Sequence, residues 1–125
     1  MSRRAIVTTA ASALIGAGLL ATAPAAAAEP NPPDCPKGYF CLYSSYDETG
    51  GLVLKRAGNW TGRVSAGSIF NNGVPYPNAD HIQVYWSLGD YSNTACLHYN
   101  PGPGAYKRDF LPGTVVTKVV WRGEC

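Results

Sequence analysis

The sequence predicts an all-β, disulfide-bonded domain, and three observations lead to that class. Glycine and proline (14 and 10 residues of 125) interrupt almost every stretch, so no apolar periodicity of a helix persists along the chain. Short runs of β-branched and aromatic residues stand between these turn signals. The 4 cysteines form an even set, as expected for a small domain that cross-links a limited core.

Seven short strands are predicted, and their close spacing favours an antiparallel sandwich or barrel. Side-chain alternation assigns Ile82, Val84 and Trp86 to one face of the fourth strand. In the last strand it places Val116 and Val119 on opposite faces. The predicted strands are residues 39–43, 52–56, 67–70, 81–86, 94–99, 106–110 and 114–121.

The first 28 residues have the organisation of a cleaved export signal. An arginine pair supplies a positive start, an apolar stretch of small residues follows, and Ala26 and Ala28 form an A-x-A pattern before Glu29. A membrane-spanning helix is the alternative, but the proline-rich segment directly after the A-x-A pattern favours cleavage. We therefore expect a secreted, extracellular protein with a signal peptide over residues 1–28. The general secretory and twin-arginine routes both stay open.

Removal of the signal leaves 125 − 28 = 97 residues, enough for one small domain. We predict a proline-rich segment at 29–34 and a folded domain at 35–125. All 8 acidic residues follow residue 28, as do 8 of the 10 basic residues, so the formal charge of that part is zero. A neutral domain without a basic run gives no electrostatic reason to bind nucleic acid or an anionic membrane.

The four cysteines allow three disulfide pairings. We favour Cys35 with Cys41, which closes a short loop, and Cys96 with Cys125, which ties down the chain end. A zinc site built from four thiolates is the alternative. The absence of a short C-x-x-C pair argues against it, because structural zinc ligands usually have that spacing.

Candidate catalytic and metal-binding residues are few, so no enzyme, cofactor or metal ion is predicted. The chain lacks G-x-S-x-G, H-E-x-x-H and phosphate-binding glycine motifs. A small hydrolase would require His81 or His98 beside a nucleophile, and the two histidines fall in different predicted strands. Asp47 and Glu48 lie in a turn where paired carboxylates can hold calcium, but a solvated turn is the preferred interpretation.

Two stretches of the chain contain similar residue types in the same order. Residues 41–58 and 96–113 each begin with Cys-Leu and end with glycine, so that Cys41 aligns with Cys96. The similarity is faint, but it suggests one β unit used twice. Two such units can bury their faces against each other, as pairs of Greek keys do.

Two loops are stiffened by proline. Pro75 and Pro77 restrict one loop, and Pro101 and Pro103 restrict the other. A stiff loop loses little conformational entropy on docking, which favours tight binding to another protein. A protease inhibitor needs such a loop for the further reason that a segment unable to relax is cut slowly.

The stretch CPKGYFCLYSSYDETGG resembles the opening of the Streptomyces-type metalloproteinase inhibitor family, which begins C-P-x-G-x-x-C-L-Y before a turn that ends in glycine. SIFNNG (68–73) resembles the family's segment that closes the first Greek key. The resemblance implies a single βγ-crystallin-like domain of two Greek-key motifs over residues 35–125. Glu48 departs from the aromatic residue usual two positions before the glycine. The matching positions are Cys35, Pro36, Gly38, Cys41, Leu42, Tyr43 and Gly50.

The resemblance also implies a function: a monomeric, secreted inhibitor whose partner is a thermolysin-like metalloprotease. Such enzymes prefer a bulky apolar residue just after the cleaved bond. The candidate bonds are Ser87–Leu88 and Cys96–Leu97, which we expect in a loop between the strands at 81–86 and 94–99. The leucine would fill the apolar pocket, and the carbonyl before it would approach the enzyme's zinc.

The alternative function is a crystallin-like binding domain without inhibitory activity. It would recognise a cell-surface polysaccharide or a protein partner through Tyr76, Tyr91 and Tyr99. Because a fold does not determine a function, the same opening motif is compatible with both interpretations.

Overall fold

The structure of the protein is a computed structural model that describes residues 29–125, so the predicted signal peptide lies outside the described residues. This part of the chain forms two four-stranded antiparallel sheets. It contains no helix long and apolar enough to cross a membrane. The strands are β1 (Tyr39–Tyr43), β2 (Leu52–Arg56), β3 (Trp60–Ser65), β4 (Ser68–Asn72), β5 (His81–Leu88), β6 (Tyr91–Leu97), β7 (Lys107–Asp109) and β8 (Val115–Arg122).

The two halves of the chain follow the same path through the sheets. Sheet A has the strand order β2-β1-β4-β7, and sheet B has the order β3-β8-β5-β6. In each half the first strand pairs with the second and the fourth, while the third strand joins the edge of the other sheet. Each half therefore lends one strand to the other, which ties the two sheets into one domain.

The main core lies between the sheets and is built by alternating apolar residues. Phe40 and Leu42 of β1 and Ile82 and Val84 of β5 are all fully buried in it. Burial of each such side chain contributes about 1.5–3 kcal/mol relative to exposure. The face predicted for the fourth strand is confirmed, because Ile82, Val84 and Trp86 are all buried.

The predicted faces of the last strand are wrong. Val116 and Val119 are both fully buried in the main core, although strict alternation puts them on opposite faces. The register between β5 and β8 shifts here, since Tyr85 pairs with Lys118 but Trp86 pairs with Val116. The extra residue in β8 is a β-bulge, which brings both valines to the core side.

The prediction missed β3, which runs from Trp60 to Ser65 as an edge strand of sheet B. Its sequence, WTGRVS, has a glycine and an arginine in the middle, and glycine is depleted in strands. Its register against β8 shifts between Thr61 and Val64. The alternation of apolar and polar residues is weak in an irregular edge strand of this kind. Its position in the sheet depends on pairing with the neighbouring strand, which a local sequence pattern does not show.

The outer face of sheet A is covered by the N-terminal segment. Cys35, Cys41, Tyr43 and Phe70 form a second buried cluster there. The side-chain amide of Asn72 donates to the carbonyl of Cys35 at 2.7 Å. Sheet A is thus buried on both faces, which explains why β1 and β4 are almost continuously buried.

The structure contains two disulfides, Cys35–Cys41 and Cys96–Cys125, and no free cysteine among the described residues. These are the pairs favoured by the sequence. Cys35–Cys41 joins the covering segment to β1, and Cys96–Cys125 joins β6 to the C-terminal residue. Each half of the domain is therefore closed by one covalent link.

Candidate functional site

The segment expected to be an inhibitory loop is a β-hairpin. β5 and β6 pair without interruption from Ile82 opposite Leu97 to Leu88 opposite Tyr91. The connection is only Gly89 and Asp90, and Gly89 has φ of 60°. Two-residue connections of this kind require positive φ, which glycine adopts without strain. The expected loop therefore does not exist, because its residues extend the strands on both sides.

The hairpin separates the two candidate bonds. Ser87 and Leu88 lie at its tip and are half-buried, whereas Cys96 and Leu97 lie at the opposite end of the ladder. Leu97 is 2% exposed and belongs to the main core. Its side chain would have to leave that core to enter an enzyme's pocket. The structure thus brings Ser87 and Leu88 to the surface and keeps Leu97 inside.

A second turn lies against the hairpin tip and presents Leu111, a residue that the sequence analysis missed. Leu111 is 65% exposed, and Tyr91 on the hairpin is 79% exposed. The backbone N–H and the hydroxyl of Thr114 both donate to the carbonyl of Leu111, at 3.2 and 2.7 Å. Leu-Pro-Gly at 111–113 is a recognisable sequence signal for an apolar residue held on a closed turn.

The hairpin tip and this turn enclose a shallow cavity of about 350 Å³. Leu88, Tyr91 and Leu111 line it, and the Arg108 guanidinium lies 4.7 Å from the ring centre of Trp86 at its side. We call this surface the tip cleft. An apolar cleft lined also by two charged residues, Arg108 and Asp109, suits the binding of a protein segment better than catalysis.

Residues 28–99, 72 of the chain's 125 residues, match the family model of peptidase inhibitor family I36. The chain belongs to this family. It is therefore a peptidase inhibitor and not an enzyme. No curated protein and no solved structure matches the chain significantly. The matched region of this I36 inhibitor includes Leu88 and Tyr91, while the turn that carries Leu111 lies beyond it.

The paired acidic residues of the I36 inhibitor, considered above for calcium, surround a lysine. The ammonium of Lys107 lies 2.7 Å from a carboxylate oxygen of Glu29, 2.7 Å from one of Asp47 and 3.7 Å from one of Glu48. Lys107 thus supplies the positive charge beside the three carboxylates. The cluster ties the N-terminal segment, the β1–β2 turn and β7 together.

This cluster perturbs the pKa of its members in opposite directions. Burial, together with the hydrogen bonds that protonated Glu48 donates to the Asp47 and Glu29 carboxylates, raises the pKa of Glu48 to about 8. The hydrogen bond from Lys107 holds the pKa of Asp47 below its ordinary value. Burial opposes the charge on Lys107, but its bonds to Asp47 and Glu29 raise its pKa overall. Glu48 is therefore the acid of this group that can hold a proton near neutral pH.

The two histidines of the I36 inhibitor lie together, although His81 begins β5 and His98 directly follows β6. Their ring centroids are 4.4 Å apart, and Nδ1 of His81 lies 2.7 Å from a carboxylate oxygen of Asp80. Burial opposes ionisation of Asp80, but hydrogen bonds from Tyr76 N–H and from His81 hold its pKa below the ordinary value. Within residues 29–125 neither histidine ring hydrogen-bonds to a serine, threonine or cysteine, so no hydrolytic nucleophile is activated.

The three tyrosines considered for ligand binding do not form one surface. Tyr76 and Tyr91 are both exposed, but they lie near opposite ends of β5. The backbone N–H of Tyr76 donates to the carboxylate of Asp80, which directly precedes β5, whereas Tyr91 comes after the last residue of β5, at the start of β6. Tyr99 packs against His98, with ring centroids 4.1 Å apart. Of the three, Tyr91 alone lines the tip cleft.

Proposed function

We propose that the protein is a secreted inhibitor of thermolysin-like metallopeptidases and that the tip cleft is its docking surface. The observation that carries this proposal is the position of Leu88, at the end of a paired ladder beside the exposed side chains of Tyr91 and Leu111. The residues expected from the family resemblance include this leucine. The metallopeptidase class follows from the same resemblance. Leu88 suits that class, because thermolysin-like enzymes accept a bulky apolar residue just after the cleaved bond.

The proposed mechanism is substrate-like docking of the hairpin tip. The carbonyl of Ser87 approaches the catalytic zinc of the enzyme, and Leu88 or the neighbouring Leu111 enters its apolar pocket. Pairing of Ser87 with Ser92 and of Leu88 with Tyr91 orders the tip before binding. A pre-ordered segment loses little entropy when it docks, so more of the contact energy appears as affinity.

Of the two candidate bonds, we retain Ser87–Leu88 and set Cys96–Leu97 aside. Leu97 is 2% exposed, and Cys96 is bonded to Cys125. Exposing Leu97 would cost roughly the 1.5–3 kcal/mol that its burial contributes. The Ser87–Leu88 bond needs no such rearrangement.

The proposal includes export and a monomeric state. Residues 1–28 have the organisation of a signal peptide in their sequence, and both disulfides suit an oxidising compartment. We propose that the processed protein acts alone on a secreted peptidase, without binding nucleic acid or membranes. The Greek-key, βγ-crystallin-like description of the fold is also proposed here. The exchange of β3 and β7 between two halves of identical connectivity supports it.

The test is inhibition of a thermolysin-like and a trypsin-like peptidase by the purified protein with both disulfides intact. We expect inhibition of the former at micromolar concentration or below. Leu88→Asp and Leu111→Asp should each weaken it, the stronger effect being roughly 30-fold or more, as for an interface residue that contributes about 2 kcal/mol. The inhibition constants are the measurement.

The matched control is Val53→Asp, since Val53 is a 41% exposed apolar residue on the other hairpin, in β2. It should leave inhibition unchanged. Equal loss in Val53→Asp would remove the tip cleft as the docking surface. Inhibition of the trypsin-like enzyme alone would contradict the metallopeptidase class, and inhibition of neither enzyme would contradict both.

A further inference from the structure

We propose that the protein has a binding site for its own processed N-terminus, in which Asn100 and a group of carboxylates hold the α-ammonium of Glu29. Glu29 is the first residue after the A-x-A pattern, so signal cleavage converts its backbone amide into a primary ammonium. The ligand is thus an ammonium group that the chain itself supplies. The proposal rests on the export proposed above and does not depend on the inhibitory function.

The side chain of Asn100 binds the backbone of Glu29 through both of its polar atoms. The N–H of Glu29 donates to Oδ1 of Asn100 at 3.1 Å, and Nδ2 of Asn100 donates to the Glu29 carbonyl at 2.7 Å. Asn100 is only 1% exposed, and its own N–H donates to the carbonyl of Asn71 at 3.1 Å. The acceptor that faces the Glu29 nitrogen is therefore fixed by a part of the fold 71 residues away.

Two carboxylate oxygens beside this position lack donors. With Glu48 ionised, Oε2 of Glu29 and Oε2 of Glu48 are buried without a hydrogen-bond partner within residues 29–125. The Glu48 side chain is 9% exposed, and its Oε2 lies 3.7 Å from the Lys107 ammonium, beyond hydrogen-bond distance. A buried oxygen without a donor costs free energy, so additional N–H groups here stabilise the folded protein. A proton on Glu48 supplies one donor, and an ammonium supplies others.

The new ammonium lies within reach of these oxygens. Its nitrogen and the Glu29 carboxylate belong to one residue, so the length of a glutamate side chain limits their separation. Carboxylate oxygens of Glu29, Asp47 and Glu48 all lie within 4.8 Å of one another. An amide has one N–H, which Asn100 accepts, whereas an ammonium has three donors and a positive charge. Cleavage therefore adds two donors and a charge where three carboxylates share the ammonium of Lys107.

Binding of the N-terminus fixes the segment that covers sheet A. Residues 29–34 lead to Cys35, which belongs to the buried cluster on the outer face of that sheet. Pro30, Pro32 and Pro33 restrict the backbone of this segment, so fixing its first residue restricts all of it. The folded domain thus gains stability when the signal peptide is removed, and removal accompanies export.

The test compares two forms of the oxidised protein with defined first residues, each released from a fusion protein by a site-specific protease. One form begins at Glu29, and the other keeps Ala27 and Ala28 before it. Both carry one terminal ammonium, so only its position differs. At pH 7 the form that begins at Glu29 should have the higher Tm, by on the order of 5 °C. Equal Tm values overturn the proposal.

Substitutions identify the partners through the difference in Tm between the two forms. Asn100→Ala removes the acceptor and Glu48→Gln removes a negative charge, so each should reduce that difference about twofold or more. A role in folding alone lowers both forms equally and leaves the difference unchanged. Asn59→Ala is the matched control, since Oδ1 of Asn59 also accepts a backbone N–H, that of Trp121 at 2.8 Å. A difference that Asn100→Ala and Glu48→Gln leave intact overturns the proposal.

A pH series separates the ammonium from the other charges. The groups that face it are the three carboxylates, Lys107 and Lys37, whose ammonium donates to the Asn100 carbonyl at 3.4 Å. These groups are present in both forms and largely cancel in the difference. The carboxylates should raise the α-amino pKa, so the stabilisation is complete below its ordinary value and is lost as the pH rises through the raised one. An α-amino pKa at or below the ordinary value, measured by NMR, overturns the site.

Mass spectrometry of the exported protein distinguishes this proposal from the export on which it rests. The first residue should be Glu29 with its amino group free. Another first residue contradicts the proposed cleavage and this proposal with it, whereas equal Tm values of the two defined forms contradict the site alone. Loss of water by cyclisation of Glu29 removes the ammonium and overturns the site as well.

Discussion

The first hairpins of the two halves have the same place in the topology but opposite surroundings. β1 and β2 are joined by the eight residues 44–51, whereas β5 and β6 are joined by the two residues 89–90. The long turn folds back on the protein, and the short one leaves the tip projecting. Two hairpins with the same connectivity thus form a turn packed against the protein in the first half and an exposed tip in the second.

The long turn is held by a network that the short turn lacks. The Ser68 hydroxyl donates to the carbonyl of Ser45 at 2.7 Å and accepts the N–H of Glu48 at 3.0 Å. The N–H of Gly67 donates to the carbonyl of Tyr43 at 2.7 Å. Lys107 adds the charged contacts described above. Since this turn is fixed against β4 and β7, we expect its residues to affect stability and the tip residues to affect binding.

The largest expected effect separates the two leucines of the β5–β6 hairpin. Leu97→Ala should lower the free energy of unfolding by about 2–5 kcal/mol, because it leaves a cavity in the main core. Leu88→Ala should cost no more than about 1 kcal/mol, because Leu88 is half-buried at the tip. Denaturant titration measures both values. Equal losses would contradict the division of this hairpin into a core end and a surface end.

The next effect tests the folded-back turn of the first half. A Cβ atom on Gly67 would lie 2.6 Å from the carbonyl oxygen of Ser44 and 2.7 Å from Cα of Ser45. Gly67→Ala should therefore destabilise the protein by about 1–3 kcal/mol, as overpacking against backbone does. Gly58→Ala is the control, since nothing lies within 4 Å of a Cβ there. A change of less than about 0.5 kcal/mol in both variants would mean that the turn is not packed as described.

The smallest expected effect is a pH dependence that belongs to the first hairpin alone. The pKa of Glu48 is about 8 in the fold against an ordinary 4.5, so the folded state keeps a proton that the unfolded chain releases. The stabilisation from this proton is complete below pH 4.5 and is lost as the pH rises through about 8. The low pKa of Asp47 acts in the opposite sense only in the acidic range, below 3.8.

Relative to Glu48→Gln, the parent protein should therefore lose stability on the order of 1 kcal/mol across this window. Denaturation at a series of pH values measures the difference. Asp90→Asn, in the exposed turn of the other hairpin, should follow the parent curve. A parent and a Glu48→Gln variant with parallel curves would show that Glu48 ionises normally.

The two halves are equivalent in a different register from the one that the sequence suggested. The faint repeat aligned Cys41 with Cys96, but these residues lie in β1 and β6. By connectivity β1 corresponds to β5 and β2 to β6. The two hairpin turns differ in length by six residues, so a single fixed offset in residue number cannot align both strands of one half with those of the other. Comparison of the two sequence stretches alone therefore aligned the first strand of one half with the second strand of the other half.

Local patterns predicted much of the fold and little of the site. The runs at 39–43 and 52–56 became β1 and β2 with the predicted bounds, because alternating apolar residues and flanking turn signals are local properties. The bulge in β8 and the edge strand β3 escaped prediction, since each depends on the register of a neighbouring strand. The convergence of Lys107 on Glu29, Asp47 and Glu48 joins distant segments that no spacing rule connects.

The sequence by itself determined the all-β class, the even set of cysteines and membership in an inhibitor family, because each rests on composition or on a contiguous motif. Only the tertiary structure decided which apolar side chains face solvent. Leu88 and Leu97 both end strands and look alike in the sequence, yet one lies at the tip and the other in the core. Burial is set by the opposing sheet, and that partner comes from elsewhere in the chain.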